Sequence, residues 1–313
     1  MRSHVEPERP RDQESRTLKR EIDVATLWSL GGLTWRELAE NVWEELAEDR
    51  ILGRAAQLSF YFLLSLFPLL MIMVALLNRF GFLESALRDG LARLLDTVAP
   101  QSASTLVDDA LQSIAEGIGA GGTSFGLLIA LWAASSGMAA IMSALNYAYE
   151  IVETRPWWKR RLVAICLVFA LMSLIVMALI LIVYGTEIVT ALATGLGLGG
   201  MLASALRIVE WPAAVVFVLL VFNLLYLYAP NLKHRAWHWL MPGTAIAVGL
   251  WLLASYGFKL YVENFGTYNK LYGSVGTVVV LLLWFYITGI AILIGAQVNS
   301  VIEFAAANKV RKV

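Results

Sequence analysis

The run Ala55–Asn78, AAQLSFYFLLSLFPLLMIMVALLN, contains no charged residue. At 1.5 Å per residue a helix of this length crosses the hydrocarbon core of a bilayer, so the run predicts a membrane-spanning helix. Arg50 and Arg54 stand at its entrance and Arg79 at its exit. Such groups are costly in lipid and set the register of the crossing. Pro68 removes one backbone donor and leaves the Leu64 carbonyl without its helical partner, so a kink is expected there. Gln57, Tyr61, Leu64 and Pro68 follow i, i+4, i+7, i+11 spacing and share one face. That face is expected to look at protein, either as a helix–helix contact or as the lining of a route for substrate.

Composition extends the argument to the whole chain. Of 313 residues, 59% are hydrophobic and 15% charged, against about 45–50% and 25% in soluble domains. With a mean hydropathy of +0.68, the chain reads as an integral membrane protein. Lysine plus arginine (24) equals aspartate plus glutamate (24), so the excess of positive charge that marks a nucleic-acid binder is missing and no nucleic-acid partner is expected. Cys166, in an apolar run, is expected to pack as a small hydrophobe, and no disulfide framework exists within one chain. The first fifty residues show no basic segment, apolar core and small-residue cleavage site in series, so the first crossing is expected to direct insertion.

Read in order, residues 1–33 form a mostly disordered cytoplasmic tail, most clearly over Met1–Ile22, where large apolar side chains are few. Residues 34–53 form an amphipathic helix: Thr34 can cap with Glu37, and Trp35, Leu38, Val42, Trp43 and Leu46 make an apolar stripe. Its acidic polar face argues for packing on a bundle rather than on anionic lipid. Residues 54–305 form six crossings, at about 55–78, 123–149, 162–184, 208–228, 241–262 and 275–304. Between the first two, residues 81–122 keep helical periodicity on either side of Pro100 and predict a helical hairpin outside the membrane. In the second crossing small residues recur as Gly126, Ala130, Ala134 and as Ala140, Ala144, Ala148, which predicts the most buried helix. The glycines of ATGLGLGG (193–200) predict a mobile link. A sixth crossing of about 30 residues must tilt or project. Residues 306–313 are a basic tail. The fold class is therefore all-α, a polytopic membrane bundle.

Positive charge orients it. Arg50, Arg54, Arg155, Lys159, Arg160, Arg161, Lys233, Arg235, Lys309, Arg311 and Lys312 fall on one side if there are six crossings. Arg79, Arg88, Arg93, Arg207 and Lys270 fall on the other, spread over longer and more acidic segments. The bias places both termini in the cytoplasm, with the bundle in a bacterial inner membrane.

Three polar groups are candidate sites. A polar seam would comprise Gln57, Ser65, Pro68, Asn223, Gln297 and Asn299. Gln297 and Asn299 need buried partners, for which Asn223 or Gln57 are in reach; the seam either lines a route or only holds helices together. A gate or headgroup site on the cytoplasmic side would comprise Asn146, Tyr149, Glu150, Arg155, Lys159, Arg160 and Asn231, with Asn146 and Glu150 on one face at i, i+4. The alternative is an interfacial anchor with Trp157, Trp158 and Lys159 in the aromatic belt, Arg160 and Arg161 adding contact with lipid phosphate. Lys259 and Glu263 form a candidate pair at the outer end, set against simple snorkelling. Enzymatic constellations are poor. His234 and His238 have zinc-helix spacing, but Arg235 stands where a metalloprotease needs its glutamate, so neither a catalytic metal nor a cofactor is expected.

Several stretches together resemble the YihY/BrkB group of bacterial inner-membrane proteins: AAQLSFYFLLSLFPLL, LNYAYEIVETRPWWKRR, LYAPN at 227–231, PG at 242–243, YGSVG at 272–276 and GAQVN at 295–299. The resemblance covers about residues 34–304. It implies six transmembrane helices and a membrane location, and the names attached to the group include a serum-resistance virulence factor and a mistaken ribonuclease label. Where many members carry an acidic residue, this chain has Gln297. The expected role is to transport or shelter a lipid or other amphiphilic envelope component. Envelope assembly is the alternative, and an enzyme, ribonuclease included, ranks last. Expected partners are membrane lipids and envelope proteins, and a homo-oligomer is left open.

Overall fold

The computed structural model describes residues 29–48, 51–78, 123–195, 201–232, 242–265 and 268–311. Among them every regular element is helical. After a 3₁₀ turn at Leu30–Gly32 come α1 (Trp35–Glu48), α2 (Ile51–Asn78), α3 (Thr123–Ala148), α4 (Trp157–Gly195), α5 (Met201–Tyr228), α6 (Pro242–Phe265) and α7 (Tyr268–Arg311). Five of these, α2, α3, α4, α6 and α7, are long and apolar enough to cross a membrane, and the apolar part of α5, Ala214–Tyr228, is shorter. The expected hairpin at 81–122 lies outside the described residues.

The capping chemistry at the start of α1 is as expected. Glu37 N–H donates to Thr34 Oγ1 at 3.3 Å, while the Thr34 N–H and hydroxyl both donate to Glu37 Oε2 at 2.8 Å. The first of those bonds to the carboxylate, from the Thr34 backbone, holds Glu37 below its ordinary value. The apolar stripe is corrected. Leu38 and Val42 are buried against α7, but Trp35 and Trp43 are largely exposed. Trp43 lies one residue on from Val42, about 100° around the helix, too far for both to meet one neighbour.

The turn before α1 is also ordered, where the sequence suggested the end of a loose tail. Gly31 has φ +66°, and a Cβ there would come within 2.8 Å of the Ile302 carbonyl. Only glycine permits both that backbone and that approach.

Helix α7 is the axis, packing against α1, α2, α3 and α6, while α4 joins α3 to α5. Its 44 residues exceed the expected 30, and α4 at 39 exceeds the expected 23. No proline interrupts either. Helix α3 has the largest buried share of any crossing, 44% against 39% for α7, as its small residues predict. Ala130, Ala134, Ala144 and Ala148 are buried. Gly137, outside that period, lies close against α2: a Cβ there would sit 2.7 Å from Ser65 Cβ.

The face proposed for α2 needs correction. The helix continues through Pro68, but Gln57 and Leu64 are exposed, while Tyr61 and Pro68 are only half-buried. The buried side is instead Ile51, Ala55, Leu58, Ser59 and Leu70. Small Ala55 meets α7 at Gly289, where the backbones come close. Cys166 likewise lies exposed on α4 rather than packed inside. Large apolar side chains such as Phe67, Leu128, Trp132 and Leu253 cover the outside, as suits a bundle whose solvent is lipid.

Candidate functional site at the basic end of the bundle

Helix α3 stops at Ala148 through a specific reversal. Ile151 N–H donates to the Asn146 carbonyl at 2.7 Å and Glu150 N–H to the Tyr147 carbonyl at 2.9 Å. These are the paired bonds of a Schellman motif, with Glu150 at its left-handed position, φ +52°. Asn146 and Glu150 therefore do not share a helical face. Asn146 turns inward and is buried, while Glu150 is exposed.

Inward of this turn the chain ties its own loops together. Asn146 Nδ2 donates to Glu153 Oε2 at 2.8 Å, and its Oδ1 accepts from Asn231 N–H at 2.7 Å. Asn231 Nδ2 donates to Thr154 Oγ1 at 2.8 Å. Arg155 grips Glu153 with Nε and Nη2, each at 2.8 Å, and donates to the Ala229 carbonyl at 3.0 Å. Partial burial pushes the Glu153 carboxyl up, but the bonds from Arg155 and Asn146 outweigh it and hold the group below its usual value. Of the expected gate residues, Asn146, Arg155 and Asn231 thus meet in one network, which locks the ends of α3 and α5 together. Glu153 is its centre. Lys159 is exposed and stands apart, and Arg160 turns along α3 toward Ser143 and Ala139.

A second polar group lies inside the bundle at the same end. Asn299 Oδ1 accepts from Gly243 N–H at 2.9 Å, joining α7 to the start of α6. Gln297 Nε2 donates to Glu45 Oε2, joining α7 to α1. The expected partners, Asn223 and Gln57, are not those used, because Gln57 faces outward and two residues on α7 point about 200° apart. A carboxylate does reach the Gln297 position, supplied by Glu45 from another helix. Tyr226 donates to the Ile292 carbonyl at 2.8 Å.

Glycines allow the close packing. A Cβ on Gly295 would sit 2.7 Å from the Gly243 carbonyl, and one on Gly243 would sit 2.7 Å from Asn299 Cγ. Tyr149, at the end of α3, faces this group, with Asn299 and Glu303 as its polar neighbours on α7. Of the six buried side-chain atoms without a hydrogen-bond partner among the described residues, four belong to this group, Tyr149 Oη, Thr244 Oγ1, Gln297 Oε1 and Asn299 Nδ2; the other two are Arg160 Nε and Arg161 Nε. The sequence pointed to Tyr149, Gln297 and Asn299, with Gly295 beside the last two, but not to Glu45, Gly243, Thr244 or Tyr226. The PG stretch held one of these.

The remaining candidates are dispersed. Ser65 bonds its own helix, to the Phe62 carbonyl at 3.2 Å, and packs on Gly137. Asn223 is half-buried on α5. Lys259 is half-buried, and the side chain of Glu263 lies outside the described residues, as do His234 and His238. Among the described residues no group of three His, Cys, Asp or Glu side chains could hold a metal.

Comparison with known proteins bears on this arrangement. The family described as "Virulence factor BrkB" matches residues 42–312. A ribonuclease-like protein, YfkH, of Bacillus subtilis (strain 168) is 36% identical over 80% of this chain and 90% of its own. A UPF0761 membrane protein of Aeromonas salmonicida (strain A449) is 26% identical over 84% of this chain and 87% of its own. A UPF0761 membrane protein of Alkalilimnicola ehrlichii is 29% identical over 86% of this chain, which spans only 59% of that relative. No solved structure matches.

Proposed function

The chain belongs to the BrkB family of membrane proteins, and from that premise we propose that it transports or handles a lipid or another amphiphilic component of the bacterial envelope. The observation that carries the reading is the buried polar cluster of Tyr149, Thr244, Gln297 and Asn299, in which Thr244 Oγ1 and Gln297 Oε1 meet no partner and Tyr149 and Asn299 face each other without a hydrogen bond of full geometry. Each such atom costs about 1–3 kcal/mol if left unmet. Where several gather, water or a ligand is the usual completion. The polar head of an amphiphile, or the water that travels with it, supplies these bonds, while its tails stay in the apolar surroundings.

The positive-inside bias supports an inner-membrane location with the basic end and both termini cytoplasmic. The site then lies at the cytoplasmic end of the bundle. One observation favours the assembly reading instead: Trp35 and Trp43 stand exposed on α1, where an envelope protein could cover them. The ribonuclease-like name belongs to the Bacillus relative, and no residue grouping described above supports hydrolysis here.

The test is the lipid composition of each membrane leaflet after depletion of the protein. The proposal expects one lipid class to shift between leaflets. Unchanged leaflets, with envelope complexes that fail to assemble, favour the alternative.

A further inference from the structure

The face of α3 that looks away from the bundle carries a second arrangement, separate from the buried group. Trp132, Ser136, Ala139, Ser143 and Tyr147 recur at intervals of three or four and share that face. Three arginines from flanking helices lie along it. Arg54, at the start of α2, stands over the Tyr147 ring with its guanidinium carbon 3.1 Å from the centroid. Arg160, from the first turn of α4, donates to the Ala139 carbonyl at 2.9 Å and to the Ser143 hydroxyl. Arg161 donates through two nitrogens to Ser136 Oγ, at 3.2 Å each, and to the Trp132 carbonyl. Its guanidinium carbon lies 3.7 Å from the centre of the Trp132 indole.

The arrangement repeats itself. Ser136 donates to the Trp132 carbonyl and Ser143 to the Ala139 carbonyl, each at 2.9 Å. A serine and the carbonyl one turn back therefore form a notch twice, seven residues apart, and each notch holds one guanidinium. From Tyr147 to Trp132 the row covers about 22 Å of helix, most of a hydrocarbon core of about 30 Å.

This row lies on the outer side of the bundle, with Trp132 and Tyr147 exposed. Trp132 is 58% exposed, and Leu128 and Ile129 one turn before it on α3 and Leu162 and Phe169 on α4 are exposed and apolar. Among the described residues no carboxylate is at ion-pair distance from Arg54 or Arg161, and Arg160 has only Glu153, at 4.0 Å. Cations at membrane depth are among the costliest placements in a bilayer. Holding α4 to α3 does not require them, because apolar side chains do that at less cost. A guanidinium carries five N–H donors, and those not given to the notch fit phosphate oxygens.

We propose that this face of α3 is a binding track for the phosphate of an anionic lipid headgroup, held below the usual headgroup level, with acyl chains against the apolar side chains beside it. The occupant is a lipid rather than free phosphate, since a soluble ion has no use for the apolar flanks. The inference goes beyond the buried group and rests on the lipid-handling reading for its purpose only. Binding is measured apart from transport.

The experiment uses the full chain in nanodiscs of equal phosphatidylcholine and phosphatidylglycerol, with retained lipid read by native mass spectrometry. Wild type should retain phosphatidylglycerol over phosphatidylcholine about tenfold, near one good charged contact. Arg160→Gln with Arg161→Gln should remove most of that preference at unchanged melting temperature. Arg161→Lys, which keeps the charge without the fork, should fall between. Equal retention of the two lipids by wild type overturns the proposal even if the double variant fails to fold. So does a preference that the variants leave intact. Loss of the preference in millimolar inorganic phosphate assigns the row to a free anion and overturns the lipid assignment. Leaflets unchanged on depletion, with this preference present, would sink the transport reading and leave the track standing.

Discussion

Glu150 occupies a left-handed backbone conformation, φ +52°, that no neighbouring residue announces. At C′ of a Schellman motif glycine is the usual residue, and a non-glycine at positive φ costs about 1–2 kcal/mol. Replacing it with glycine returns about 0.5–1 kcal/mol of that to the unfolded chain's entropy. The difference leaves Glu150→Gly more stable by about 0.5–1 kcal/mol, read as a raised melting temperature in detergent. Glu150→Val should melt lower, and the opposite order would contradict the turn geometry. The same position explains a failure of sequence reasoning. With no glycine to mark the end of α3, i, i+4 spacing placed Asn146 and Glu150 together, whereas the helix ends between them. Thr34 and Glu37 were legible because their capping chemistry is local. The partners of Gln297 and Asn299 were not, because Glu45 and Gly243 are brought to them only by tertiary packing.

Between elements, the contact of α2 with α3 depends on Gly137 lying against Ser65 and the Tyr61 carbonyl. Gly137→Leu must push the helices apart or force Ser65 and its neighbours aside. Overpacking of this kind typically costs about 1–3 kcal/mol. Gly249, whose absent Cβ would meet nothing within 4 Å, supplies the control: Gly249→Leu should melt near wild type, and equal losses at both positions would contradict the close approach. The alanines of α3 were readable as an interface because small residues every fourth position have few other uses in a membrane helix. For α2 the periodicity pointed the wrong way. Gln57 near a helix end faces outward, where a long amide can reach the interfacial region, so polarity alone did not identify the protein-facing side.

For the whole molecule, five of the six expected crossings were legible as helices long and apolar enough to span a bilayer, while the apolar part of α5, Ala214–Tyr228, is shorter; charge-free runs and flanking arginines report directly on bilayer thickness. What joins the crossings at the basic end was not. The Glu153 network and the Asn299–Gly243 bond unite residues from α3, α5, α6 and α7. The orientation makes a direct prediction. In a Cys166→Ala background, Ser104→Cys should react with an impermeant thiol reagent added outside, and Lys309→Cys should not; the reverse labelling would invert the bundle. Lipid handling by the buried group is tested most directly by complementation. Cells depleted of the protein would carry wild type, Gln297→Leu or Asn299→Leu, with leaflet lipid composition measured beside the melting temperature of each purified variant. Lost interhelical bonds in membranes average only about 0.6 kcal/mol, so both variants should fold. If the buried amides handle lipid, both variants fold but fail to restore the leaflet distribution. Full restoration by both leucine variants at unchanged melting would rule that role out.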